Sequence, residues 1–393
     1  MPQSQPNPSP LSIQELLDRC IDFLSASHVD LRSCSLVARS WVHISQSHLF
    51  RSPQLTAQRP GADTTQLTLS AILTSSPHLI HHVRQLHIPF HISRSAPLAL
   101  DKLCMIKYTH LEEISIHINW RVYVPELLRP SVLSLPTLRW LKLHLSEGRQ
   151  FLDTVPLFKN LSPTIQHLDL IVGPWEEPET PLRTSESSMV PPPIRLKSLR
   201  LELLAEPYDY RGRPMPPLDI SVLAPFDVSE LKALQLSRLN SVPWHTLPRA
   251  KIEILDVVLL EEAMDLSSFP KLTTLRITIP EALKESFRLV LATIPPSSRI
   301  RTIVIGIESW PLDEAECSPL DEHLGCLPLS GPVVIEFEIP FPQNEATEEI
   351  LQSLFPRVVS QTRFRMSYVL LGDVETAKWK MSANWWREQV ASL

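Results

Sequence analysis

Glycine is scarce in this chain, 8 of 393 residues against 38 prolines. That leaves little room for phosphate-cradling loops. No Walker loop, Rossmann glycine fingerprint, G-x-S-x-G elbow or H-E-x-x-H pair occurs. Cysteine is also sparse. Cys20, Cys34, Cys104, Cys317 and Cys326 are odd in number and form no C-x-x-C pair. They read as reduced thiols, which implies a cytoplasmic or nuclear setting. Long apolar runs are missing: stretches such as Val257-Val258-Leu259-Leu260 fall far short of the ~20 residues of a membrane-spanning helix. Charge of one sign does not accumulate either. With 37 Lys+Arg, 43 Asp+Glu and a formal net charge of −6, the chain offers no general attraction to nucleic acid or anionic lipid. The opening MPQSQPNPSP has no basic residue and no apolar core, so it reads as a polar, disordered tail over residues 1–10 and not as a signal peptide.

A core is nevertheless affordable, since 43% of the residues are hydrophobic and 20% charged. The length suits two or three average domains, or one domain and an elongated array. Residues 11–50, LSIQELLDRCIDFLSASHVDLRSCSLVARSWVHISQSHLF, hold the densest pattern. Ile13, Leu16, Leu17, Ile21 and Leu24 share one face at helical spacing. Ser12 and Glu15 form a capping box, and Leu11 with Leu16 a hydrophobic staple. Asp30 offers a second N-cap, followed by Leu31, Cys34, Val37, Trp41 and Ile44 as the stripe of a second helix. Two helices in ~40 residues bury too little to stand alone. They need a partner, in the chain or outside it.

The stretch resembles an F-box, the module by which substrate receptors dock on the Skp-family adaptor of cullin–RING ubiquitin ligases. The matching residues are Leu11, Glu15, Leu16, Leu17, Ile21, Leu24, Asp30-Leu31, Leu36-Val37, Trp41 and Leu49-Phe50. The run Cys34-Ser35-Leu36-Val37-Ala38-Arg39-Ser40-Trp41, followed by His48-Leu49-Phe50-Arg51, is similar to F-box proteins of mushroom-forming fungi. Leu11-Ser12 replaces the family's usual Leu-Pro opening; serine keeps a cap, but the proline contact with the adaptor is lost. The resemblance implies an adaptor-binding module over 11–52, with Leu11, Leu16, Leu17, Ile21, Leu24, Leu31, Leu36, Val37 and Trp41 as contact residues. Leu16, Leu17, Ile21 and Trp41 are expected to be incompletely covered within the chain.

From residue 65 a different rhythm begins. A pattern LxxLxLxL recurs as VRQLHIPF, LEEISIHI, LRWLKLHL, IQHLDLIV, LKSLRLEL, LKALQLSR, IEILDVVL, LTTLRITI and IRTIVIGI, with VVIEFEI as a tenth copy. The anchors are Leu86, Ile114, Leu141, Leu168, Leu199, Leu234, Leu255, Leu275, Ile303 and Ile335. Alternation within each copy makes a short strand, and the spacing is that of leucine-rich repeats with insertions. The Asn or Cys that regular repeats carry five residues past the anchor survives only as Asn119; His91, Ser146, Gly173, Leu204, Pro280 and Glu308 stand elsewhere. The competing reading is an ordinary α/β domain with parallel strands.

LTLSAILTSSPHLIHHV and PLALDKLCMIKYTH read as short helices between strands, and Pro174–Pro193 and Pro207–Pro217 as solvated insertions. The terminal ETAKWKMSANWWREQVASL, with Trp379, Trp385 and Trp386, reads as a helix shielding the open end of the array. A Trp-rich partner site is the alternative. His78, His81, His82, His87 and His91 read as surface histidines, and the Cys317, His323, Cys326 spacing fits no common zinc module. Glu261-Glu262 and Glu348-Glu349 read as solvated faces.

The expected fold is α/β: F-box helices, then an irregular leucine-rich-repeat-like solenoid with short parallel strands over 65–372, then a capping helix over 373–393. The expected role is that of a non-enzymatic substrate receptor without metal or cofactor, with a Skp-family adaptor, through it a cullin–RING ligase, and a protein substrate as partners. Residues between the alternating leucines, including Lys142, His144, Arg200, Glu202 and Arg276, are expected on an exposed concave face that binds this substrate. The alternative is a plain repeat scaffold whose first helices only cap the array.

Overall fold

A computed structural model describes residues 14–25, 27–53, 62–89, 102–119, 132–147, 161–172, 193–203, 223, 226–237, 247–258, 264–279, 284–307, 314–329, 331–339, 347–370, 385–391 and 393. Leu11, the Ser12 cap, Trp379, residues 174–192 and residues 207–217 lie outside them. The chain divides into two compact units, residues 1–146 with 156–165, and residues 147–155 with 166–393.

The first unit opens with three helices, α1 (Gln14–Asp22), α2 (His28–Val37) and α3 (Arg39–Arg51), where the sequence pattern suggested two. The second stripe is broken at Ala38, whose backbone is extended at φ −154° and ψ 154°. Serine chemistry favours the break. Ser33 Oγ donates to the Val29 carbonyl and Ser35 Oγ to the Arg32 carbonyl, competing with the helical ladder in its last turn. The cap also differs from expectation: Ser27 accepts from the Asp30 N–H, leaving Asp30 inside the first turn as a favourable negative charge. Leu17, Ile21 and Leu31 form the core of these helices, with Leu24, Trp41, Ile44 and Leu49 packed around it.

Helix α4 (Ala62–Ser75) and a 3-10 helix over Pro77–His82 follow, matching the first expected inter-strand helix. Of the second, residues 102–104 are helical, and the residues before them lie outside the described ones. Strands β1 (Gln85–Pro89), β2 (Glu113–Asn119) and β3 (Trp140–Glu147) come next. Helix α3 is joined to this sheet by its last carbonyl, because Arg51 O accepts from Arg84 N at 2.9 Å.

The second unit holds β4 (His167–Val172), β5 (Ile194–Arg195), β6 (Ser198–Leu203), β7 (Phe226–Asp227), β8 (Ala233–Ser237), β9 (Ile254–Val258), β10 (Thr274–Ile279), β11 (Thr302–Ile307), β12 (Val333–Ile339) and β13 (Phe364–Leu370). Between or after them lie α5 (Lys284–Ala292), α6 (Glu314–Gly325), α7 (Thr347–Leu354) and α8 (Pro356–Ser360), and a final helix, α9, over residues 385–391. Within each unit the main-sheet strands lie side by side in chain order and pair in parallel, while β5 and β7 form a separate small pair.

The recurring anchors are the register marks of this α/β fold. Leu86 pairs with Ile114, and Leu168 is followed in register by Leu199, Leu234, Leu255, Leu275, Ile303 and Ile335. All are buried. The row ends on Met366 of β13, a strand the LxxLxLxL pattern did not reveal. Neighbouring turns are joined by a repeated backbone motif: two successive N–H groups donate to one carbonyl of the preceding turn, as Lys232 and Ala233 do to Lys197 and Thr273 and Thr274 to Glu253. Where the asparagine ladder is missing, threonines contribute. Thr137 Oγ1 donates to Leu111 O at 2.7 Å, Thr164 Oγ1 to Leu138 O at 2.8 Å, and Thr273 Oγ1 to Glu253 O at 3.0 Å. Among the described residues no helix is long and apolar enough to cross a membrane.

Candidate functional site

Two surfaces stand out, one in each unit. In the first, α1 and α2 pack with α3 around one core and still present large apolar side chains to solvent. Leu16, Phe23, Val29, Leu36 and Val37 are exposed, Phe23 and Leu36 to 89% and 87%. Half of the ten exposed large apolar side chains among the described residues therefore fall between positions 16 and 37. Clustering of this kind marks an interaction surface. Helix α3 is fastened from behind: His48 Nε2 shares a hydrogen bond with Asp22 Oδ1 at 2.8 Å, and His43 meets His82 edge-on with ring centroids 5.1 Å apart.

Of the nine residues singled out from sequence, Leu11 lies outside the described residues and the other eight separate by position. Leu16, Leu36 and Val37 are open, and Leu24 and Trp41 half-buried. Leu17, Ile21 and Leu31 are buried in the helical core, so the expectation that Leu17 and Ile21 are incompletely covered is corrected. The i, i+4 stripes find mainly the side chains a helix buries against its own unit, although Leu16 and Val37 lie on them and are open; an exposed apolar residue off the stripes carries no periodic signal. Phe23 and Val29 were missed for this reason, although an aromatic off the stripe was a usable signal.

The second surface is the polar face of the sheet in the second unit. Register places Asp169, Arg200, Gln235, Asp256, Arg276, Val304, Glu336 and Ser367 in one row, with Glu202, Ser237, Val258, Thr278, Gly306 and Glu338 in the next. The expected exposed face is here a buried one. Arg276 is 5% exposed, and Asp169, Arg200, Glu202, Gln235, Asp256 and Glu338 are buried with it. Arg276 Nη1 donates to Asp256 Oδ1 at 2.9 Å, and its Nη2 crosses β11 to Glu338 Oε2 at 2.6 Å. Gln235 Nε2 donates to Asp256 Oδ2 at 2.8 Å, and Arg200 Nη2 to Glu202 Oε2 on its own strand. Gly306 lies between Thr278 and Glu338 in register, and a Cβ there would stand 2.9 Å from Thr278 Oγ1.

Burial opposes the charge on Arg276, but attraction to Asp256 and Glu338 outweighs it and holds its pKa above the ordinary value. Burial also raises the Glu336 carboxyl, and Glu338 nearby adds to the shift. Part of the cover is the chain's own last helix. The Trp385 ring lies over the Arg276 guanidinium at 5.7 Å, Trp386 is fully buried, and Lys197 Nζ donates to Leu393 O at 3.3 Å. These contacts are with β10 and the start of β6, interior strands of the row. The described part of this helix therefore meets the polar face of the sheet; the rest of the expected cap, residues 373–384, lies outside the described residues.

Lys142 and His144 of β3, in the first unit, are half-buried. His144 stacks on His117 with ring centroids 4.0 Å apart. Burial above all, then His117 and Lys142, brings the His144 pKa down to about 4. No group of three His, Cys, Asp or Glu among the described residues is arranged to hold a metal ion. Cys317 is buried, Cys326 exposed, and His323 Nδ1 lies 2.7 Å from Pro319 O. No family model matches the chain, and no match is found among curated proteins.

Proposed function

We propose that the chain is the substrate-receptor subunit of a cullin–RING ubiquitin ligase. Its F-box-like helices dock on a Skp-family adaptor, and its leucine-rich-repeat-like strands present a protein substrate. The observation that carries this reading is the apolar set Leu16, Phe23, Val29, Leu36 and Val37, left exposed by helices whose core is already closed. The residues that resemble an F-box lie on those same helices. A soluble surface keeps such side chains apart unless something covers them.

The scaffold reading is favoured by one observation: α3 is held in cis by the Arg84–Arg51 backbone bond and the His43–His82 contact. The two readings use different faces, because α3 is engaged by the chain while much of α1 and α2 is open. Co-expression with a Skp-family adaptor separates them. Leu36→Asp together with Val37→Asp should abolish adaptor capture while leaving the melting temperature unchanged, since both side chains are already in water. Undiminished capture by the double variant would return the helices to a capping role.

A further inference from the structure

Among the described residues, buried carboxylates on the polar face of the second unit outnumber buried guanidiniums. Asp169, Glu202, Asp256 and Glu338 are four buried carboxylates against two buried guanidiniums, those of Arg200 and Arg276. Asp256 and Glu338 share Arg276, and Glu202 takes Arg200. Asp169 is left over. It stands beside Arg200 in register and is only 3% exposed, yet its Oδ1 has no hydrogen-bond partner, and neither has Arg200 Nε. An unpaired carboxylate out of water is costly, and natural folds rarely keep one without a use for it.

The occupant of the face supplies the second half of the argument. Helix 385–391 sets Trp385 on the Arg276 guanidinium, a cation–π contact, and ends at Leu393 beside Lys197. Its fit is incomplete: Trp386 Nε1 is buried without a partner, and no side chain of the helix bonds the Asp169 Oδ1.

The geometry points to a peptide-recognition surface whose resting occupant is the chain's own last helix. The partner is a protein segment that takes the helix's place, presenting an aromatic ring to Arg276 and a lysine or arginine to Asp169. The identity of this partner as a ligase substrate rests on the receptor reading above; the site itself does not. An aromatic and a cation in one short segment would satisfy both the stacking position and the surplus carboxylate. An acidic segment would instead add repulsion.

The test uses the full chain and a fluorescein-labelled peptide of residues 385–393, WWREQVASL, read by fluorescence anisotropy. The parent chain should bind it weakly, because the face is occupied. A Trp385→Ala chain should bind about tenfold more tightly, since an occupied site lowers apparent affinity by the fraction that is open. A Lys197→Ala chain, which loosens only the far end of the helix, provides the same comparison should Trp385→Ala fail to fold. Labelled peptides with a single lysine placed in turn at each position should include one that binds more tightly still. That gain should vanish in Asp169→Asn, whose melting temperature should not fall.

The inference is overturned if neither loosened chain gains affinity, if no lysine position helps, or if the gain persists in Asp169→Asn. A loosened chain that dimerises and binds no peptide assigns the face to a second copy, and also overturns it. Adaptor capture is measured on the same preparations. Capture without peptide binding removes this inference alone, whereas peptide binding without capture leaves the site standing and removes the receptor reading.

Discussion

Arg276 shows how one side chain changes meaning between sequence and structure. Its position one residue past an anchor leucine reads as a surface charge, whose replacement would cost under about half a kcal/mol. Its two salt bridges are buried, so removing it alone strands Asp256 and Glu338. Arg276→Met should cost ~3–5 kcal/mol in urea denaturation, the penalty for leaving buried charge uncompensated. Replacing Asp256 and Glu338 with leucine in the same chain should recover most of that loss, because a well-packed apolar cluster rivals a buried ion pair. Equal stability for the single and triple variants would show that the triad is solvated. His144 permits a second prediction at this scale. Its pKa is about 4 in the fold against 6.5 when free. Above 6.5 neither state binds the proton and the contribution to stability is complete. Between 6.5 and about 4 only the unfolded chain takes it up, so stability falls with pH through that window. Thermal melts near pH 7 and pH 5 should show a smaller drop for His144→Gln than for the parent.

At the scale of elements, the strands were the most legible part of the sequence. Alternating apolar residues have one geometric solution in a strand, and all ten anchors from Leu86 to Ile335 are buried. Leu275→Ala should therefore cost ~2–5 kcal/mol, as for a packed core leucine. Gly306→Val should cost ~1–3 kcal/mol, because its branched side chain must displace Thr278 next to the Arg276–Glu338 bridge. Chemical denaturation of the two variants checks both. What was not legible depends on partners distant in sequence. β13 escaped because Arg363 takes the first apolar position of the pattern and Met366 and Tyr368 replace its leucines, and its place is fixed by pairing with β12. The break at Ala38 has no proline or glycine to announce it. It follows from serine side chains taking backbone carbonyls, and from the need to bring Leu31 and Trp41 to one core. Burial of the polar row was invisible for the same reason: Glu338 lies 62 residues from Arg276, and Trp385 109 residues from it (385 − 276).

At the scale of the whole molecule, the question is whether the proposed docking face and the folded core use the same residues, and their burial separates them. Leu17 and Leu36 both match the F-box pattern, yet one is 1% exposed and the other 87%. Each substitution should consequently lose the adaptor by a different route. Leu17→Asp places a carboxylate where it has no partner, at a cost of several kcal/mol, and should unfold α1 to α3. Limited proteolysis should then cut within residues 14–53 while fragments from 166–393 persist, because the second unit has its own core of paired strands. Leu36→Asp leaves the helical core untouched, so it should lose capture with an unchanged proteolytic pattern. Phe23→Asp, at a position outside the family pattern but exposed to 89%, should behave like Leu36→Asp. If Phe23→Asp captured the adaptor as the parent does, Phe23 would lie outside the docking face, which would then rest on Leu16, Val29, Leu36 and Val37.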